Sequence, residues 1–228
     1  MRGTPENFVY RNLANATSIL GVLPLVVLIL DDGYRYVVLL IIYNNFMDDL
    51  DGVLAAWLDI KTRFGADLDN VCDSVAHISL ALAVGAHFGI PLIALSAIAA
   101  GSILVRIGRR LDPKAIEGIG SQTNELMRHM LFTLLLAGQF DFSPEYILMA
   151  VFLVHSVSML LPYPMHHPII DRAKSATMLG LVNVALVVAW LVPILTPVVT
   201  AAFVAAYIFS FIARWVEWPR KMNIKSLP

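Results

Sequence analysis

Five aspartates lie in two neighbouring apolar stretches of this chain, where charged side chains are least expected. They are Asp48, Asp49 and Asp51 in the first stretch, and Asp69 and Asp73 in the second. A carboxylate in apolar surroundings needs a cation, a hydrogen-bond donor or water. On a helix, residues three or four apart share a face, so Asp48 lies beside Asp51 and Asp69 beside Asp73. Asp49 points about 100° away, and we interpret it as a helper residue or a neighbour of the lipid headgroups rather than a ligand.

The chemistry of such a group follows from its charge. Carboxylates that converge in a small space repel one another, so some must be protonated or divalent cations must neutralise them. Ligands that are all oxygen favour Mg²⁺, Mn²⁺ or Ca²⁺. Paired metal ions with carboxylates are suited to phosphoryl-group displacement, in which the ions hold phosphate oxygens and a carboxylate accepts a proton from a hydroxyl.

Small residues accompany the aspartates at positions where a ligand would need room. Gly52 and Ala55 share the helix face of Asp48 and Asp51, and Gly65 opens the next helix near the surface. The connection at residues 60–66 is short, so the two helices are predicted to be antiparallel neighbours. The two acidic faces should therefore meet at similar depth.

The amino-acid composition of the full chain indicates which kind of secondary structure must position these residues. Of 228 residues, 58% are hydrophobic and 14% are charged, against about 25% charged in an average soluble domain. The mean hydropathy of +0.74 excludes a disordered chain and a water-soluble globule. The net charge of −1 argues against nucleic-acid binding, and the lone Cys72 excludes a disulfide framework. We predict an all-α, polytopic membrane helical bundle that forms one domain over residues 1–228.

Apolar runs near the length of a membrane span recur along the chain and predict about eight transmembrane helices. They are Ala14–Leu30, Tyr36–Leu58, Asp67–Phe88, Leu92–Ile107, Glu125–Phe140, Pro144–Leu161, Ser175–Leu195 and Val198–Trp215. Of the 16 lysines and arginines, only Arg35 falls in a predicted outer loop. The positive-inside rule therefore predicts a multi-pass protein of the cell membrane, with both termini and the acidic site facing the cytoplasm.

The spacing of the acidic residues resembles the signature of the CDP-alcohol phosphotransferase family. That signature is D-x-x-D-G-x-x-A-R, eight residues, then G-x-x-x-D-x-x-x-D. This chain reads Asp48-x-x-Asp51-Gly52-x-x-Ala55, then Gly65-x-x-x-Asp69-x-x-x-Asp73, with both spacings kept. One position departs, because Ala56 stands where the family has arginine. Lys61 or Arg63 is a candidate to replace that charge.

The resemblance implies transfer of a phosphatidyl or related group from a CDP-linked donor to an alcohol, with release of CMP. It implies that Asp73 is the general base and that two divalent ions, Mg²⁺ or Mn²⁺, are bound. The ligands it implies are Asp48, Asp51, Asp69 and Asp73.

The resemblance also implies the binding partners. The donor would be CDP-diacylglycerol drawn from the lipid bilayer, with its nucleotide against Gly52, Ala55 and Gly65. Family members often form homodimers, which we expect here too.

A second stretch bears on the acceptor alcohol. Ser158 to Pro164 looks like the Ser-x-x-x-Pro-Tyr-Pro segment of phosphatidylserine synthases, which implies L-serine as acceptor. Arg106 and Arg109, at the end of the fourth span, are candidates to contact phosphate or an acidic acceptor. Glycerol 3-phosphate or an inositol phosphate is the alternative acceptor.

Other interpretations of the acidic stretches are a water-bridged structural seam, a membrane scaffold, and an ion or metal transporter. A transporter should carry acidic residues along a route to both sides of the membrane. The aspartates instead cluster in two adjacent spans, which favours an enzyme. His77, one turn after Asp73, is interpreted as a packing residue or a hydrogen-bond partner of a ligand, rather than a ligand itself. Asn44 and Asn45 are interpreted as contacts between helices or as hydrogen-bond partners of the acidic residues.

Overall fold

The computed structural model describes residues 9–112, 120–161 and 176–225, with side chains described as far as Ala213. Each of the eight predicted spans corresponds to an α-helix in these ranges, so the prediction of an all-α membrane bundle is confirmed. The helices are α1 (Leu13–Val22), α2 (Val37–Trp57), α3 (Arg63–Phe88), α4 (Ile90–Leu111), α5 (Thr123–Phe140), α6 (Glu145–Leu160), α7 (Ala176–Leu191) and α8 (Thr196–Lys225).

The first predicted span is α-helical for only its first ten residues and continues as a 3₁₀-helix over Leu23–Ile29. The change follows from Pro24, which has no N–H to donate to the carbonyl of Leu20. The Tyr43 hydroxyl donates to that carbonyl instead, at 3.1 Å. Shorter 3₁₀-helices cover Gly33–Tyr36 and Pro193–Leu195.

Four other helices differ from their predicted limits by at least four residues at one end. Helix α4 continues to Leu111 rather than Ile107, and helix α7 ends at Leu191 rather than Leu195. Helix α3 begins at Arg63 rather than Asp67, because the Thr62 hydroxyl accepts a hydrogen bond from Gly65 N at 2.9 Å and caps the helix. Helix α8 continues to Lys225, well past the predicted end at Trp215. The earlier start of α3 places Asp69 in its second turn.

Three helical segments are long and apolar enough to cross a membrane, namely Arg63–Phe88, Ile90–Leu111 and Pro193–Ala213. Shorter apolar helices cover Leu13–Ile29, Glu145–Leu160 and Ala176–Leu191. Helix α2 has 21 residues and is not among these segments, and it contains three aspartates. This set of apolar helices is that of a multi-pass membrane protein.

The chain clusters into two compact units, Met1–Ile107 and Gly108–Pro228. In the first unit, α1 packs against α2 and α3, and α2 packs against α3. In the second unit, α5 packs against α6, α7 and α8, and its buried side chains include Leu126, Met130 and Phe132. The single domain expected from the sequence stays a prediction.

Candidate active site

The carboxylates of α2 and α3 meet in the first unit. Ligand oxygens of Asp48, Asp51 and Asp69 all lie within 4.8 Å of one another. Asp51 is 5% exposed, and the other two side chains are half-buried. At this separation, a pair of ionised carboxylates repels by about 3 kcal/mol with an effective dielectric constant of about 20. The cluster therefore requires protons or cations to exist.

Asp73 joins the same cluster from one turn further along α3. Its side chain is in hydrogen-bonding contact with that of Asp48, and Asp51 is in the same kind of contact with Asp69. Each contact joins α2 to α3. Two carboxyl groups at this range hold a proton between them or share a cation. The structure thus brings together the four aspartates that the sequence spacing selected.

The donor set fits a hard divalent cation. Four carboxylates provide only oxygen ligands, and they converge from two helices that are packed against each other. Mg²⁺ and Mn²⁺ prefer such ligands, and both tolerate coordination shared between carboxylates, water and phosphate oxygens. Asp48, Asp51 and Asp69 therefore form a group that could hold a metal ion, and Asp73 interacts with all three of them.

Helix α1 adds a residue to the site that the sequence prediction missed. Ser18 is buried and its hydroxyl donates a hydrogen bond to Asp51 Oδ2. A neutral donor to one carboxylate oxygen limits its rotation and leaves the other oxygen for a ligand. The signal was present in the sequence, because Asn12, Asn15 and Ser18 recur every third residue, with Thr17 as the other polar residue of this stretch.

A cavity of about 270 Å³ opens beside the carboxylates. Asp51 and Asp69 form one part of its wall, and the three residues predicted to face a nucleotide, Gly52, Ala55 and Gly65, also line it. Pockets for small molecules typically have volumes of about 300–1,000 Å³, so the cavity has room for part of a nucleotide.

The two glycines of this wall differ in their surroundings. A Cβ atom at Gly65 would lie 3.0 Å from Asn15 Oδ1 and 3.1 Å from Thr62 Oγ1. A Cβ atom at Gly52 would meet nothing within 4 Å. A larger residue at Gly65 would thus require the side chains of Asn15 and Thr62 to shift slightly, whereas a residue larger than Gly52 would extend into open space.

The structure also shows the surroundings of Ala56, the position that departs from the family signature. Ala56 is exposed, and Arg63 forms a surface ion pair with Asp67 at 3.7 Å. Lys61 lines the cavity together with Thr62. Of the two cations named as replacements for the missing arginine, Lys61 is therefore the one at the cavity.

The remaining candidates do not line the cavity. Arg106 is 8% exposed and is not part of the cavity wall, and Arg109 is exposed. Asp49 accepts a hydrogen bond from Asn45 Nδ2 at 3.3 Å, in keeping with its position off the shared face. His77 is buried, as expected for a packing residue.

The segment that suggested the acceptor is only partly described. Ser158 is buried, and its hydroxyl accepts a hydrogen bond from Tyr207 Oη at 2.7 Å. Residues 162–164, which complete the Ser-x-x-x-Pro-Tyr-Pro resemblance, lie outside the described residues.

Comparison with known proteins identifies the family to which this chain belongs. The family model for CDP-alcohol phosphatidyltransferase matches residues 11–160, which include the whole acidic cluster, the cavity wall and Ser18. A search among curated proteins found no match. Since the matched region covers well over half of the chain and contains the four aspartates at the family spacing, the protein belongs to the CDP-alcohol phosphatidyltransferase family of transferases.

Proposed function

We propose that this transferase moves a phosphatidyl group from CDP-diacylglycerol to a small alcohol, with L-serine as the preferred acceptor, and releases CMP. The observation that carries the proposal is the cluster of four aspartates beside a cavity walled by Gly52, Ala55 and Gly65. The carboxylates suit phosphate chemistry, and the small residues leave space for a nucleotide next to them.

In this proposal Asp48, Asp51, Asp69 and Asp73 hold two Mg²⁺ or Mn²⁺ ions. Bound ions would neutralise the diphosphate of the donor and stabilise the charge that develops on its oxygens. Ser18 keeps Asp51 oriented through its hydrogen bond. The carboxylates of α2 and α3 thereby set the position of the donor diphosphate in the cavity.

Asp73 is proposed as the general base. Its carboxylate accepts the proton of the acceptor hydroxyl as the acceptor oxygen forms a bond to the phosphorus that carries diacylglycerol. The phosphoanhydride bond breaks, and its electron pair leaves with the phosphate of CMP. The products are the phosphatidyl alcohol, CMP and a protonated Asp73, which returns its proton to solvent.

Lys61 is proposed to replace the charge lost at Ala56. It is the cationic side chain of the cavity wall, within the part of the chain that the structure describes. An ammonium group on a flexible stem can follow a phosphate that moves during transfer.

The choice of serine is supported by the resemblance of Ser158 to Pro164 to phosphatidylserine synthases. Arg106 and Arg109 are the candidate contacts to the carboxylate of serine or to phosphate. Glycerol 3-phosphate and inositol phosphate are the alternative acceptors. We further propose a homodimer in the cell membrane with the site and both termini in the cytoplasm, as the distribution of basic residues indicates.

The test is CMP release by the purified protein in lipid nanodiscs containing CDP-diacylglycerol and Mn²⁺. L-serine, glycerol 3-phosphate and inositol phosphate are supplied one at a time, and D-serine is the matched control. We expect CMP and phosphatidylserine with L-serine. Release with another acceptor but not with L-serine would overturn the serine assignment alone. No CMP with any acceptor would overturn the proposed reaction and favour the transporter interpretation.

A further inference from the structure

The second unit contains a buried group of three rings outside the carboxylate site. His129 on α5, His155 on α6 and Tyr207 on α8 contact one another, with ring centroids 4.9, 5.0 and 4.7 Å apart. Their exposed fractions are 8%, 2% and 8%. Two imidazoles that meet inside an apolar helix bundle are unusual, because ionisable residues within a membrane are rare and mostly functional.

The hydrogen bonds of His129 determine which of its nitrogens can bind a ligand. Nδ1 lies 2.7 Å from the carbonyl oxygen of Glu125. A carbonyl oxygen only accepts, so Nδ1 carries the proton, and Nε2 of the neutral ring presents its lone pair. This is the arrangement that orients histidines bound to metals, in which one nitrogen donates to a carbonyl and the other coordinates.

The ligand-binding nitrogens of the pair have no protein partner. His129 Nε2 and His155 Nδ1 are both buried and lack a hydrogen bond from any residue that the structure describes. Buried polar atoms are nearly always paired, and an unpaired one costs about 1–3 kcal/mol. Two such nitrogens on rings whose centroids are 4.9 Å apart therefore suit a shared ligand.

The separation of the rings fits a chelated metal ion. An ion about 2.0–2.1 Å from a ring nitrogen, with two such rings at a tetrahedral angle, holds their centroids about 5 Å apart. The observed separation is 4.9 Å. Tyr207 is held against both rings by its hydrogen bond to Ser158 Oγ at 2.7 Å, which closes one side of the site.

We propose that His129 Nε2 and His155 Nδ1 bind one borderline transition-metal ion, of the class of Zn²⁺ or Cu²⁺. Imidazole suits these ions, whereas the carboxylates of the first unit suit Mg²⁺ and Mn²⁺. The two sites thus select different metals. Two protein ligands leave coordination positions for water or a small anion, as in open rather than closed metal sites.

The test is electron paramagnetic resonance of the metal-stripped protein with Cu²⁺ added in a large excess of Mg²⁺, which competes for the carboxylates, while nitrogen hyperfine splitting distinguishes copper on imidazole from copper on carboxylate. The background carries H166Q and H167Q, because two adjacent histidines can bind copper by themselves. We expect one Cu²⁺ per chain with a hyperfine pattern from two nitrogens, displaced by Zn²⁺ and not by further Mg²⁺.

Variants then assign the ligands. H129Q and H155Q should each lose the two-nitrogen pattern and weaken Cu²⁺ binding at least tenfold, and the exposed His87 provides the matched control H87Q. An unchanged spectrum in H129Q and H155Q would overturn the proposal. So would a parent protein that shows no nitrogen-coordinated copper, the result expected if water alone bridges the rings. This last measurement does not depend on the folding of H129Q or H155Q.

Discussion

The hydroxyl of Ser18 on α1 donates a hydrogen bond to Oδ2 of Asp51 on α2. The two residues are 33 positions apart in the chain, and only Asp51 belongs to the acidic signature. Ser18 is buried, and it joins the first helix to Asp51, a buried carboxylate of the acidic cluster.

Replacement of this serine should weaken metal binding without unfolding the protein. Losing a partner that orients a metal ligand typically lowers metal affinity about 10–100-fold, and we expect a loss in this range for S18A. S18T keeps the hydroxyl and should retain most of the affinity. Mn²⁺ titration of CMP release measures the effect. S79A is the control, since Ser79 donates only to the carbonyl of Val75 in its own helix. Equal losses in S18A and S79A would contradict the orienting role.

Asp73 should be essential to turnover but not to folding. D73N removes the proposed base and should lower the rate of CMP release by about 10²–10⁴-fold, the usual contribution of a general base. The matched control is D59N. Asp59 is exposed and has a φ of 53°, a left-handed conformation that asparagine tolerates well. A D73N enzyme with near-normal turnover would exclude Asp73 as the base.

Gly52 should control access of the donor to the cavity. No atom lies within 4 Å of a Cβ built at this position, so G52L adds bulk to the cavity rather than a clash with the backbone. We expect the KM for CDP-diacylglycerol to rise at least tenfold, with little change in stability. G101L is the control, because Gly101 is equally open but lies outside the cavity wall. A donor KM that is the same in both variants would place the nucleotide elsewhere.

Arg106 and Arg109 should differ in their effects because one is buried and the other is exposed. R106Q should raise the KM for the acceptor at least tenfold. R106K should bring this KM only part of the way back to the parent value, since lysine lacks the planar fork of donors. R109Q should change it less than twofold at physiological salt, where exposed charges are screened. Steady-state kinetics with varied L-serine provides the comparison. The reverse order of effects would assign the acceptor contact to Arg109.

Gly120 should be needed for stability of the second unit. It has a φ of +64°, and a Cβ atom would lie 2.3 Å from the carbonyl oxygen of Met159. G120A should therefore lower the free energy of unfolding in detergent by at least about 2 kcal/mol. G138A, at an exposed and open helical position, should instead raise it by about 0.5–1 kcal/mol. A neutral G120A would show that the backbone can move away from Met159.

Much of the fold and of the acidic site follows from the sequence. The helical period selects Asp48 with Asp51 and Asp69 with Asp73, and the short connection between their helices makes them neighbours. Apolar runs near the length of a bilayer predict the eight helices, although not all of their ends. The end of α1 depends on Pro24, and the start of α3 depends on the cap at Thr62, both of which are local signals visible in the sequence.

Only the tertiary structure decided which residues from distant parts of the chain complete each site. Ser18 and Asn15 reach the carboxylate cavity because α1 packs on α2 and α3, and His129 meets His155 and Tyr207 because three helices of the second unit converge. Helical spacing reports which residues share a face, since it depends on the backbone alone. Which face packs against which helix depends on side-chain volumes and hydrogen bonds across the whole bundle, and no local pattern contains that information.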